Sequence, residues 1–461
     1  MSNDKKFLEE QNAEEFQKYS SSSWVITEED GKKEMEGRDK ETAFNHKFRY
    51  DKDENEVTWA FFQNSRTIPS THKGISCYAP FNHLRIRRDG GMQPCCFASS
   101  IQHWEKDKFS LQDYWFGKGG RGAGGESLNQ DFQEPMLEEG LYTSCHMVCG
   151  KRIGRMQPPP ILEYDWNVGN ERLEHALNPD NYPKVIEFEI SNLCNFACPM
   201  CCGDLSSKHM LGRDKDLKKY FPNVFDDDDN LDQLVEQLKD FIPHLEKIRF
   251  TGGEPFSHKG FYKIAQEIYE INPDMIVEIT TNGSVYNTKV DKFAKLLNMH
   301  ISVSLDTVVP EEYAQIRIGG KFEETMANIQ KFKKTCGAEN IKINSTLMDV
   351  NCLNIDKFFE FGMAEGFLVF INQYDRNGRW HTPNMNITNH SSPIRLQTVQ
   401  RLKIIRRKYL AEKEKYGDHD QIAKCITLME RGTFSEDLNP PPGLGNDKVV
   451  DGFFSAELNN E

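Results

Sequence analysis

Residues 185–202 read VIEFEISNLCNFACPMCC, an apolar run (Val185–Ile190) that passes directly into Cys194, Cys198 and Cys201 at spacings of x3 and x2. The run has the β-branched and aromatic content of a buried strand, so the three thiols fall on the loop that follows it. Three thiolates on one loop suit three corners of a [4Fe–4S] cluster and leave the fourth iron without a protein ligand. The four-cysteine sites that only carry electrons differ in this respect. An iron with an open position can bind a small molecule. Cys202 is adjacent, and its side chain is expected to point away. On the cysteines alone, a zinc site or buried structural thiols stay open as alternatives.

Outward from this stretch, residues 184 to about 376 alternate between strand-like and helix-like text. Strands are expected at Val185–Ile190, Lys247–Phe250, Met275–Thr280, His300–Leu305, Ile341–Leu347 and Leu368–Asn372. Between them, Leu231, Leu234, Val235, Leu238, Ile242 and Leu245 keep a helical period, as do Phe261, Ile264, Ala265 and Ile268, and later Phe322, Met326, Ile329 and Phe332. Strands alternating with helices imply a parallel sheet with right-handed crossovers, an α/β fold. Residues 391–432 read as helices with an apolar stripe of Leu396, Val399, Leu402, Ile405 and Tyr409, taken as a C-terminal cap.

About fifty residues after the third cysteine comes KIRFTGGEPF (residues 247–256), again closing a strand. Together, CNFACPMC and FTGGEPF resemble the signature of the radical S-adenosylmethionine (SAM) superfamily, with Met200 where many members carry an aromatic residue. The resemblance implies a partial (β/α)6 barrel with ligands at the C-terminal ends of its strands. It also implies that Cys194, Cys198 and Cys201 hold the cluster, whose open iron is chelated by the amino and carboxylate groups of SAM. Gly252, Gly253 and Glu254 would meet the methionine amino group, and Thr281, Asn282, Ser304, Asp306 and Arg317 would supply further cofactor contacts. Ile343, Ser345 and Leu347 would form the adenine wall, or merely core. For Thr281 and Asn282 a plain strand-to-helix turn, and for Arg317 an ordinary surface pair, are the alternatives.

A second cysteine group lies upstream. Cys77, Cys95 and Cys96 flank a strand, a turn at Gly90-Gly91 and a return strand, and Cys145 and Cys149 follow. The hairpin would bring Cys77 near Cys95. This order resembles the SPASM/twitch auxiliary module, in its shorter form with one further [4Fe–4S] cluster. The resemblance implies Cys77, Cys95, Cys145 and Cys149 as ligands, although the module usually follows the barrel and its last pair is usually spaced x2. Four thiolates suit structural zinc equally well.

The chain is therefore expected to comprise a polar, partly disordered arm over 1–70, the auxiliary domain over 71–160, the barrel over 180–380, and a helical cap and tail over 391–461. Twelve clustered cysteines in a chain whose first residues lack an apolar signal read as metal ligands before disulfides, and place the protein in the cytoplasm. A net charge of −14 disfavours a nucleic-acid binder, and the basic run Arg401–Lys408 reads as a solvated helix face. No apolar run is long enough to span a membrane.

The reading that follows is an enzyme that cleaves SAM reductively and abstracts hydrogen from a peptide, protein or small-molecule substrate. It would be fed by an electron donor of the flavodoxin or ferredoxin type and assisted by the auxiliary cluster. A non-catalytic iron–sulfur carrier and a SAM-dependent methyltransferase are the alternatives.

Overall fold

The computed structural model describes residues 79–96, 102–116, 181–212, 215, 222–374, 385–411 and 421–431, and the backbone of five strands between residues 25 and 67. Two compact units divide the chain. One comprises Met1–Arg85, Met92–Lys184 and Phe454–Glu461; the other comprises Ile86–Gly91 and Val185–Phe453.

In the first unit, β1 (Val25–Glu29), β2 (Lys32–Arg38), β3 (Phe44–Asp51), β4 (Glu56–Gln63) and β5 (Arg66–Thr67) form an antiparallel sheet in sequential order. These strands fall within the stretch expected to be a polar arm. Phe48 is in register with Trp59 and Tyr50 with Val57, so a period-2 alternation of aromatic and β-branched residues runs through text whose composition is dominated by charge. The expected hairpin is present as β6 (His83–Arg87) and β7 (Gly91–Gln93), followed by β8 (Gln102–His103). Its turn is closed by Gly90 N donating to Arg87 O at 2.9 Å, with Gly90 at φ +81°. A short helix, Leu111–Phe116, starts on a reciprocal cap: Asp113 N donates to Ser110 Oγ, and Ser110 N to the Asp113 carboxylate, both at 3.0 Å.

The second unit carries six parallel strands: β9 (Val185–Glu189), β10 (Lys247–Thr251), β11 (Ile276–Thr281), β12 (Asn298–Ser304), β13 (Ile341–Leu347) and β14 (Leu368–Gln373). They lie side by side in chain order, one residue or so from the expected boundaries. Alternation explains both faces. Ile248 and Phe250 of β10 are fully buried, and Phe250 meets Phe261 of the helix Lys259–Ile271 edge to face at 5.1 Å. On the opposite face the register places charges in a row: Arg249 contacts Glu187 at 3.1 Å and Glu278 at 3.4 Å, and Lys342 contacts Glu278 at 3.2 Å. Burial pushes the Glu278 pKa up, but Arg249, Lys342 and Lys247 prevail and hold it down at about 2.

The helix Asp228–Leu238 buries Leu231, Leu234, Val235 and Leu238 behind an Asp227 cap, while the expected continuation through Ile242 is instead a 3₁₀ turn, Ile242–His244. At the far end, the helices Ser392–Ala411 and Gln421–Arg431 follow. Val399, Leu402, Ile405 and Tyr409 are buried as expected, but Leu396 is 42% exposed. The second of these helices covers the edge strand: Gln421 Oε1 accepts from Ile371 N of β14 at 3.0 Å, satisfying a donor that would otherwise invite pairing. Among the described residues, no helix is long and apolar enough to cross a membrane.

Candidate functional site

The cysteine loop leaves the C-terminal end of β9 and is held from several directions. Cys201 N donates to Cys198 O at 2.9 Å, tightening the turn that carries two of the thiols. Ser206 Oγ donates to Phe196 O at 2.7 Å, His209 Nε2 lies 2.8 Å from Cys198 O, and Ser207 Oγ bridges the Cys194 amide and carbonyl at 3.1 and 3.2 Å. Past the last cysteine, Arg88 is fully buried and grips Asp204 through its carboxylate at 2.6 Å and its carbonyl at 2.8 Å. Nothing in the sequence singles out Arg88 among the arginines around it.

The Gly252-Gly253-Glu254 segment is stitched to this loop by main chain. Gly253 N donates to Ser191 O at 2.9 Å and Glu254 N to Leu193 O at 2.7 Å. Gly252 has φ +99°, and a Cβ on Gly253 would lie 2.4 Å from Leu193 O. Both positions therefore require glycine, for different reasons. The Glu254 carboxylate, 1% exposed, accepts from Thr281 Oγ1 at 2.8 Å, Asn282 N at 2.8 Å and Phe256 N at 3.2 Å. Burial outweighs these bonds and pushes its pKa up to about 7. Glu254, Thr281 and Asn282 thus come together at the ends of β10 and β11. Asn282 Nδ2 also lies 3.8 Å from Cys194 Sγ.

A further support is His258, whose Nε2 lies 3.0 Å from Asp226 Oδ1 while Ser191 Oγ donates to the same oxygen at 3.2 Å. One member of the acidic run 226–229 is therefore an anchor for the strand end; the run itself carries no signal that distinguishes it from its solvated neighbours.

At the end of β12, Asp306 adopts φ +66° and is 1% exposed. Its Oδ2 forms an ion pair with Arg317 Nε at 2.6 Å, and Arg317 Nη1 lies 3.7 Å from Cys198 Sγ. Arg317 is buried, which sets aside the surface-pair alternative. Ser304 is half-buried and in register with Asn344. Ile343 is fully buried, with its Cδ1 at the outer helix Ile355–Glu365 beside Gly362, and Ser345 Oγ donates to Asp306 O at 2.8 Å. Leu347 is likewise buried.

Burial raises the pKa of all three loop thiols, and at Cys201 the neighbouring Cys198, Cys202 and Cys194 add to it. They would be neutral by themselves, and bound iron would displace the protons. No three His, Cys, Asp or Glu among the described residues converge on a single metal-ion position; a cluster spreads its thiolates over the corners of a cube and needs no such convergence. The donor set fits the cluster: three soft ligands on one loop, two of them with side-chain N–H groups directed at sulfur. Of the upstream group, Cys95 is buried and Cys96 half-buried, and His83 Nδ1 lies 2.9 Å from Pro94 O beside them. Cys77, Cys145 and Cys149 lie outside the described residues.

The match with known proteins falls on this part of the chain. Residues 188–361 match the Radical SAM superfamily. A GTP 3',8-cyclase of Mannheimia succiniciproducens is 30% identical over 205 residues, 44% of this chain and 55% of that protein. One from Haemophilus influenzae is 31% identical over 206 residues, 45% of this chain and 55% of that protein. The chain thus spans about half the length of these curated relatives. SuiB of Streptococcus suis bound to S-adenosylmethionine superposes with a TM-score of 0.37 at 13% identity, over 63% of this chain and 65% of SuiB. The matched segment runs from the end of β9 through β13 and contains both the glycine and the cysteine motifs.

Proposed function

We propose that the protein is a radical SAM enzyme in which Cys194, Cys198 and Cys201 hold a [4Fe–4S] cluster and Gly252, Gly253, Glu254, Thr281, Asn282, Ser304, Asp306 and Arg317 form the SAM site. The observation that carries this reading is the direct main-chain stitching of the cysteine loop to Gly253 and Glu254, which joins a three-thiol site to a side-chain-free cradle. When bound, the cluster would supply one electron to split the S–C5′ bond of SAM, giving methionine and a 5′-deoxyadenosyl radical.

The chain's own part is to bind, orient and exclude water. Gly252 and Gly253 leave the backbone open to close approach. Glu254, half-ionised near neutrality by its burial, would be drawn to its anionic form by a nearby ammonium and so would orient the methionine amino group. The thiols sit where Asn282 and Arg317 donate toward sulfur. In this proposal Cys77, Cys95, Cys145 and Cys149 hold an auxiliary cluster, the substrate is a peptide or a small molecule, and a flavodoxin- or ferredoxin-type protein of the cytoplasm delivers the electron.

The test is SAM turnover by anaerobically reconstituted, reduced protein. 5′-Deoxyadenosine and methionine are expected. S-adenosylhomocysteine would mark methyl transfer instead, and a reduced cluster with no SAM consumption would mark an electron carrier. The Cys95→Ala variant is expected to keep SAM cleavage while losing substrate turnover; unchanged turnover would leave the upstream cysteines a structural role at most.

A further inference from the structure

The geometry points to Arg317 as the residue that sets the reduction potential of the cluster proposed above, acting through the Cys198 sulfur and opposed by Asp306. This rests on the ligand assignment of the preceding section and adds to it a role for one buried charge pair.

Arg317 follows the helix Pro310–Ile316, with its amide donating to Tyr313 O at 2.7 Å. The segment after it lies against the cysteine loop, main chain to main chain. Ala197 N donates to Ile318 O at 2.8 Å. Gly319 has φ +99°, and a Cβ there would lie 2.9 Å from Asn195 O; one on Gly320 would lie 2.6 Å from the Phe196 ring. The Arg317 Cα is thereby registered to the loop that carries Cys198.

The guanidinium is held from its other side as well. Asp306 Oδ2 pairs with Arg317 Nε at 2.6 Å while Oδ1 accepts from Thr346 N at 2.7 Å. The left-handed backbone of Asp306 is itself over-determined: its amide donates to Asn344 O at 3.0 Å, and its carbonyl accepts from Ser345 Oγ at 2.8 Å and Asn351 Nδ2 at 3.0 Å. An arginine pinned at both ends, with Nη1 at 3.7 Å from a buried sulfur, is a fixed positive charge in a low-dielectric setting. Such a charge stabilises the state of a thiolate-bound cluster that carries the extra electron, and hydrogen bonds to ligand sulfur act in the same direction. Asp306 offsets part of that field. The two residues should therefore move the potential in opposite directions, which a purely structural pair would not do.

The experiment is a redox titration, followed by electron paramagnetic resonance, of the cluster signal that changes on SAM addition, in reconstituted wild type, Arg317→Gln, Arg317→Lys and Asp306→Asn. Asparagine tolerates the left-handed backbone at 306. With Arg317→Gln, the ratio of reduced to oxidised cluster at fixed poise is expected to fall about tenfold, equivalent to about 59 mV for one electron. Arg317→Lys should recover part of that loss, since it keeps the charge without the fork. Asp306→Asn should shift the ratio the other way. Equal potentials in wild type and Arg317→Gln, or shifts of the same sign in the glutamine and asparagine variants, would overturn the inference. If Arg317→Gln takes up no cluster, the sign of the Asp306→Asn shift decides: upward supports the role, and none or downward refutes it. A wild type with an iron–sulfur signal indifferent to SAM would refute the ligand reading first, and this one with it.

Discussion

On the β10 side, the loop from Ser191 to Cys202 is held by uncharged main chain: Gly253 and Glu254 amides reach Ser191 and Leu193 carbonyls, and glycine is needed because any side chain would collide. On the β12 side, the same loop faces a buried ion pair, with Asp306 in a left-handed conformation and Arg317 aimed at Cys198. The first flank sets position through steric fit, which is insensitive to pH and salt. The second sets charge, which the low-dielectric surroundings amplify. In the proposed function, seating the cofactor and tuning the electron's energy would fall to different strands.

The largest effect is expected at the meeting point of the flanks. On the proposed function, Cys198→Ala should abolish SAM cleavage and lower the bound iron by the content of one cluster, as checked by iron and sulfide analysis with a 5′-deoxyadenosine assay. Retained cleavage would break the assignment for both flanks at once.

The charged flank comes next. Asp306→Ala strands a buried guanidinium and should cost about 3–5 kcal/mol in urea denaturation, far more than a surface ion pair.

Glu254 sharpens the contrast, since it is a buried ionisable group on the flank that is otherwise held by main chain. Its folded pKa of about 7 lies above its ordinary 4.5 because burial disfavours the anion, so the native state holds the proton more tightly than the unfolded chain. That contribution is complete below pH 4.5, falls as pH rises through 7, and amounts to about 3 kcal/mol across the window. Glu254→Gln should flatten this slope in a pH series of denaturation midpoints; an unchanged slope would place the titrating group elsewhere.

The smallest effect is steric. Gly253→Ala should cost about 1–3 kcal/mol and lower the melting temperature equally at low and high salt. A salt-dependent loss would mean that this flank, too, works through charge.

Much of this site was legible beforehand. The three cysteines, the Gly-Gly-Glu-Pro segment, Thr281, Asn282 and Asp306 lie at or just beyond the C-terminal ends of β9 to β12, because parallel pairing brings those ends to one side of the sheet, and Arg317 reaches them from beyond the helix Pro310–Ile316. The contacts among them were not legible. Glu254 is spent on Thr281 and Asn282, Arg317 on Asp306 and a sulfur, and the anchors Arg88, Asp226 and His258 carried no recognisable pattern. The C-terminal helices also cover the edge strand β14, through a glutamine whose role depends on one edge amide, that of Ile371.

Local periodicity and covalent spacing determined the six parallel strands and the three-thiol loop, because both are written along the chain within a few residues of each other. Over residues 25–67, charge density masks an alternation that becomes visible only when the strands are set in register. The sign and direction of each buried group, the need for glycine at 253 and the left-handed turn at Asp306 were decided by the tertiary structure alone. They depend on which distant atoms arrive within a few ångströms, and no single segment contains that information.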